Sequence, residues 1–271
     1  MLRRTLQTIT YFISRAGGLL LEAYISISGT NDPETEFAIL WTFGVNCGWL
    51  FRLRLLYYPN HFQLHWKTIL FYRALEKVKA KYPNYKPKIH VRGGEQIADL
   101  LNANEQVVVI TIHNLISVSS IIRVLKEFLI ETVLIAVRDP QKKAEVMGCD
   151  FMLDTISRSK YAFLQARRSL RQGKWIVCCA DNPPGKEDAV NSELLMLTEI
   201  FEFAIKTEAA IIFAVAQVSH NGEIDLAFGQ IHNNKALSSN ESANQFITFL
   251  DSVLTVKKKW KVSSWRKKDN I

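Results

Sequence analysis

The chain has 271 residues, 48% hydrophobic and 22% charged, enough to bury a full core in one large domain. Its formal net charge is +8, and Lys257, Lys258, Lys259, Lys261, Arg266, Lys267 and Lys268 crowd the last fifteen residues, an asymmetry that points to a polyanionic partner. Cys47, Cys149, Cys178 and Cys179 form neither a C-x-x-C metal pattern nor a disulfide framework, which argues against a zinc module or a secreted scaffold and for buried thiols in a reducing compartment.

Arg3 and Arg4 precede a mostly apolar run from Leu6 to Ile27. Arg15 and Glu22 interrupt that run and no small-residue cleavage site follows it, so a cleaved signal is not expected. A second apolar stretch, Phe37 to Phe51, is shorter than the roughly 20 residues that span a bilayer. Both stretches read either as core helices or as helices at a membrane interface. In the second case Trp41, Trp49, Tyr57 and Tyr58 lie at headgroup depth, with Arg52 and Arg54 beside anionic lipid. His61 and His65 share a helical face, but no Glu follows His61 and no third ligand suggests itself, so no metal is expected. The stretch Pro83 to Pro87, PNYKP, is the expected seam between a helical N-terminal portion and an α/β body.

From there the elements alternate. The pattern predicts strands at Lys88 to Val91, Val107 to Ile112, Thr132 to Val137, Trp175 to Ala180, Ala210 to Val218 and Glu223 to Phe228. Helices are predicted at Glu95 to Ala103, Leu115 to Leu129, Arg158 to Gln172, stopped by Gly173, and Leu197 to Thr207. Asn221 and Gly222 suggest a hairpin turn before the last strand. The fold class is α/β: a mixed, mainly parallel sheet flanked by helices, with an N-terminal helical membrane-associating portion. The expected organisation is one domain, helical over 1–82, α/β over 83–256 and a basic tail over 257–271.

The organising stretch is QVVVITIHNLISVSSIIRVL, Gln106 to Leu125. A run of β-branched residues delivers His113 and Asn114 where the periodicity changes to that of a helix. In open α/β sheets the carboxyl ends of strands are where ligands sit. Arg138 and Asp181 also fall just after strands, on the same predicted rim. Arg138 reads as an anion-binding arginine, whose planar fork suits phosphate or carboxylate, or as a partner for Asp139 or Glu145. Asp181 reads as the cap of a loop that Pro183 and Pro184 stiffen.

The order of landmarks from Gly94 to about Phe228 resembles the lysophospholipid acyltransferase superfamily, and within it the lipid A late acyltransferases (lauroyl and myristoyl transferases) of bacterial membranes. The residues that carry the resemblance are Gly94 and Glu95, His113 after its strand, VRDP from Val137 to Pro140, Arg158, LRQG from Leu170 to Gly173, Asp181 with Gly185, and AIKTEAAIIFAVAQV. They cover about half of the chain. The resemblance implies transfer of a fatty acyl group from a thioester donor, acyl carrier protein or coenzyme A, to a hydroxyl of a lipid or glycolipid. It implies His113 as general base, Arg138, Arg158, Asp181 and Asn114 on the substrate side, apolar N-terminal helices receiving the acyl chain, and no cofactor. The implied location is peripheral, on the cytoplasmic face of a bacterial inner membrane.

The sequence departs from the family at one position. The family's acid lies five residues after the histidine, and here that residue is Val118, which can neither orient an imidazole nor stabilise its charged form. Either another acid such as Glu95, Asp139 or Asp181 approaches His113, or Ser117 or Ser119 holds the ring, or the fold has lost the chemistry and binds lipid or glycan in an envelope or capsule pathway. The tail KKKWKVSSWRKK interleaves Trp260 and Trp265 with its cations and reads as a tether to an anionic membrane surface. Contact with RNA or a solvated tail are the other readings of that charge; no nucleic-acid partner is expected.

Overall fold

A computed structural model describes residues 31–46, 61–136, 141–149, 151–157, 159–182, 193–229, 237–254 and 259–263. The chain divides into two compact units: Met1–Pro87 with Val218–Glu223, and Lys88–Gln217 with Ile224–Ile271. The first unit ends at the second proline of PNYKP.

In the first unit, helix α1 (Pro33–Asn46) packs on helix α2 (His61–Lys81). Pro33 occupies the first helical position, where its missing N–H costs nothing. The Asp32 carboxylate accepts the Thr35 hydroxyl at 2.5 Å and the Thr35 N–H at 2.8 Å, and these bonds, the hydroxyl's first, hold that carboxyl below its ordinary range. Phe37 and Trp41 are buried and meet Phe71 edge-on, at 5.2 Å and 6.0 Å between ring centroids. Trp41 is therefore a core residue here and not an interfacial one. Its indole N–H donates to the carbonyls of Ser219 and His220 at 3.2 Å and 3.1 Å. Gly222, at φ +86°, is the left-handed position of the Asn221–Gly222 turn, and a Cβ there would stand 2.9 Å from Phe37. The run from Leu6 to Ile27 and Trp49, Arg52, Arg54, Tyr57 and Tyr58 lie outside the described residues.

The second unit is built on a seven-stranded sheet. Its strands are β1 (Ile89–Arg92), β2 (Val107–Thr111), β3 (Thr132–Ala136), β4 (Asp154–Ser157), β5 (Trp175–Cys179), β8 (Ala210–Val218) and β9 (Ile224–Phe228), in the order β1-β9-β8-β2-β5-β3-β4. β8, β2, β5, β3 and β4 pair in parallel, and β1 pairs parallel with β9. Gly229 N–H donates to Phe213 O and Ser219 N–H to Glu223 O, a register in which β8 and β9 form the expected antiparallel hairpin. A second, three-stranded sheet joins β6 (Asp181–Asn182), β7 (Glu193–Leu197) and β10 (Lys259–Ser263), with β7 in the centre.

The helices of this unit are α3 (Glu95–Asn102), α4 (Leu115–Glu127), α5 (Gln141–Val146), α6 (Ala162–Arg171), α7 (Glu199–Lys206) and α8 (Ser239–Val253). The period of two explains the layers. Val108, Ile110 and Ile112, with Ile176, Cys178, Ile211, Phe213 and Val215, pack with residues of α6, α7 and α8 in one cluster. Val107 and Val109 point to the opposite face and are as fully buried, which is why β2 reads as an unbroken apolar run. Phe213 and Phe246, 5.0 Å apart, anchor α8. Ser238 and Glu241 form a capping box at its start. Trp260, expected in a membrane tether, lies instead in β10, half-buried and packed against this core. Among the described residues no helix is long and apolar enough to cross a membrane.

Candidate functional site

The site follows from strand register. In the β2–β5 pair Thr111 lies opposite Cys179, so two residues further along each chain His113 arrives opposite Asp181. His113 Nδ1 is 2.9 Å from Asp181 Oδ1, and the His113 backbone N–H donates to the same oxygen at 2.5 Å. A carboxylate can only accept, so its partner Nδ1 carries the proton and Nε2 is the basic nitrogen of the ring. The His113 side chain is 32% exposed and that of Asp181 10%. A carboxylate so withdrawn from water is costly unless it is hydrogen-bonded, and the two convergent donors offset that cost. Of the readings that the sequence offers for Asp181, a loop cap, a substrate contact or an acid approaching the ring, the geometry matches the last.

Asn114 has a structural role. Its side-chain oxygen accepts the Ile116 N–H at 3.1 Å, capping α4, and its amide donates to Ala216 O at 3.3 Å. The helix begins directly after the histidine because this cap satisfies one of its first N–H groups. Ser117 does not hold the ring: its hydroxyl donates to Ala216 O at 3.1 Å and accepts the Ala216 N–H at 2.8 Å. Val118 is buried on α4. The carboxylate at His113 comes instead from Asp181, just past the end of the neighbouring strand β5. Arg138, Asp139 and Arg158 lie outside the described residues.

His113 stands in the wall of a cavity of about 620 Å³, within the range of small-molecule sites. Ile135, Phe163, Leu197 and Ile200 make its lining mostly apolar, while Lys160 and Glu199 place one cation and one carboxylate there. Phe163, on α6, stacks on Phe203 of α7 at 5.0 Å with 21° between ring planes, which fixes that wall. None of these lining residues was singled out for function by sequence. Phe163 carried only a helical period, and Glu199 only a place near the start of a helix.

Cys178 and Cys179 also line the cavity. Burial pushes both thiols well above their ordinary range, and the Asp181 carboxylate pushes Cys179 further. Both are therefore neutral thiols near pH 7, poor nucleophiles that serve as wall. The arrangement offers a base with an oriented ring beside an apolar volume, suited to activating a hydroxyl or water rather than to covalent catalysis through cysteine. Among the described residues no group of three His, Cys, Asp or Glu side chains is arranged to hold a metal ion. The chain matches no protein-family model and no curated protein.

Proposed function

We propose that the protein is an acyltransferase that moves a fatty acyl group from a thioester donor, acyl carrier protein or coenzyme A, to a hydroxyl of a membrane lipid or glycolipid. The observation that carries this reading is the His113–Asp181 pair, 2.9 Å between Nδ1 and Oδ1, in the wall of a largely apolar cavity. The acceptor hydroxyl gives its proton to His113 Nε2 as its oxygen attacks the thioester carbonyl. Asp181 holds the ring and stabilises the imidazolium that forms. Collapse of the tetrahedral intermediate breaks the carbon–sulfur bond, and the leaving thiolate takes the proton back. The products are an ester and a free thiol, and the base is regenerated.

An apolar cavity suits an alkyl chain because burying methylene groups is favourable by about 0.8 kcal/mol each. The same pair acting on water would give a thioesterase, and the acceptor decides between the two. We assign the protein to the cytoplasmic face of a bacterial inner membrane as a peripheral enzyme of envelope lipid synthesis, the setting that the landmark order of the sequence implies. The test is thiol release from a long-chain acyl thioester, followed with and without extracted membrane lipid. Release that depends on lipid and falls by about 10²–10⁴ in His113→Ala supports transfer. Lipid-independent release supports hydrolysis, and no release from either protein supports a binding role.

A further inference from the structure

Helix α6 has two faces. Ala162, Ala166 and Leu170, spaced four apart, are buried in the core. On the opposite side Leu164, Arg167, Arg168 and Arg171 share one exposed stripe, set by their spacing of three, four and seven. Tyr161 is 56%, Phe163 40% and Leu164 50% exposed, so three large apolar side chains crowd the first turn of a helix whose later turns are cationic. The Lys160 ammonium lies 5.0 Å from the centre of the Tyr161 ring. No Asp or Glu occurs from 158 to 180, and among the described residues no ion pair holds Arg167, Arg168 or Arg171. Lys174, by contrast, is engaged by Asp154 and Glu131.

The helix is also continuous with the proposed site, because Lys160, Ala162 and Phe163 line the His113 cavity. We propose that this face of α6 is the surface on which the protein seats on an anionic lipid bilayer, with the cavity held at the interface where lipid acceptors reside. Leu164, Tyr161 and the exposed edge of Phe163 enter the headgroup–acyl boundary, and the three guanidinium groups stay at phosphate depth. An acidic protein partner would be matched by the arginines alone and would leave Leu164 and Tyr161 in water, so the combination favours lipid. The inference rests on the acyltransferase reading for its purpose, but not for its measurement.

The experiment is flotation of the full-length protein with vesicles of phosphatidylcholine alone or with about one-third phosphatidylglycerol. Each surface cation near anionic lipid is worth about a fivefold gain in partitioning. The variant Arg167→Gln/Arg168→Gln/Arg171→Gln is therefore expected to bind anionic vesicles about 100-fold more weakly, with unchanged circular dichroism. Leu164→Gln is expected to lose about fivefold on the same vesicles. Should the triple variant be poorly folded, an environment-sensitive dye on Leu164→Cys gives a second reading: its emission shifts to the blue on anionic vesicles and stays put on neutral ones. Vesicle binding that the triple variant retains, or a dye that reports water throughout, overturns the proposal. So does a triple variant that loses affinity for an acidic acyl carrier protein and keeps its affinity for vesicles. A protein without acyl transfer that still loses vesicle binding in the triple variant refutes the enzymatic reading and keeps this one.

Discussion

The arrangement around His113 makes a graded prediction for Asp181. Both the ring Nδ1–H and the backbone N–H of His113 converge on one atom, Oδ1. In Asp181→Asn the backbone donor holds the amide with its oxygen inward, because the amide NH₂ cannot face another donor. The tautomer of the ring therefore survives, and what is lost is charge opposite the imidazolium. A charge-assisted hydrogen bond is about twice as strong as a neutral one. Two unit charges 2.9 Å apart attract by about 6 kcal/mol at an effective dielectric of ~20, an upper bound that water at the half-open ring reduces. A loss of about 2–4 kcal/mol follows, or roughly 30- to 1000-fold in kcat. Asp181→Ala removes the acceptor for both donors and frees the ring to turn. Its cost is about 10⁴, the scale of losing the orienting aspartate in a serine-protease triad. Steady-state thiol release on both variants measures the two losses, and ¹⁵N shifts of the imidazole report the tautomer. If Asn is as damaging as Ala and the ring proton has moved to Nε2, the reasoning about the shared oxygen is refuted. If neither variant loses activity, Asp181 has no part in the chemistry.

Other consequences are as specific. Ser117→Ala removes both bonds that tie α4 to Ala216 of β8 and takes the hydroxyl partner from the buried Ala216 N–H, while the Ala216 carbonyl keeps the Asn114 amide; chemical denaturation should show a loss of about 1–3 kcal/mol. Leu197→Trp fills part of the cavity and should abolish use of long-chain donors while a short-chain thioester is still turned over, a split that a chain-length series of kcat/KM reads directly. The raised thiols of Cys178 and Cys179 should resist alkylation at pH 8, by peptide mass spectrometry, far longer than a free cysteine of pKa about 8.5. Tyr85 has its hydroxyl pushed up to about 12 by burial and by the carboxylates of Glu34, Asp32 and Glu223. Its neutral form stabilises the fold fully below the free-tyrosine range, near 10, and that stability is lost as pH rises through about 12. Tyr85→Phe should therefore flatten the alkaline limb of a stability–pH curve.

What the sequence made legible was local. Val107 to Thr111 carries its own strand signal in β-branched residues, Gly173 ends α6 at φ +80°, and Asn221–Gly222 announces its hairpin. Shorter elements escaped. β4 is four residues, DTIS, with one buried side chain, and β7 and β10 gain their strand character from pairing with each other rather than from a period of their own. The start of α8 carries a capping box at Ser238 and Glu241 whose Ser-x-x-Glu spacing is present in the sequence. The site was legible in half: the strand end that presents His113 was visible, and its partner was one of three candidate acids, Glu95, Asp139 and Asp181, among which no local pattern chooses. Sequence spacing records contacts within one helix or strand, and an acid five residues after the histidine, where Val118 stands, would lie within such reach. Here the acid lies just past the end of β5, sixty-eight positions from the histidine, brought alongside because β5 lies between β2 and β3 in the sheet. That adjacency is a property of strand order, which no local pattern encodes. The roles of Asn114 and Trp41 are not decided by sequence for a related reason: a polar group at a strand end and an indole in an apolar run fit a site as well as a core until their hydrogen-bond partners, Ile116, Ala216, Ser219 and His220, are known.

The measurement that bears most directly on the account is the destination of the acyl chain. Purified protein is supplied with a ¹⁴C-labelled long-chain acyl thioester and bacterial membrane lipid, and the extracted lipid is resolved and counted for wild type and for a folded His113→Ala variant. The account predicts label in an ester of the lipid fraction with wild type, and its near-complete loss in the variant. Equal labelling by the two proteins, or label recovered only as free fatty acid, contradicts it.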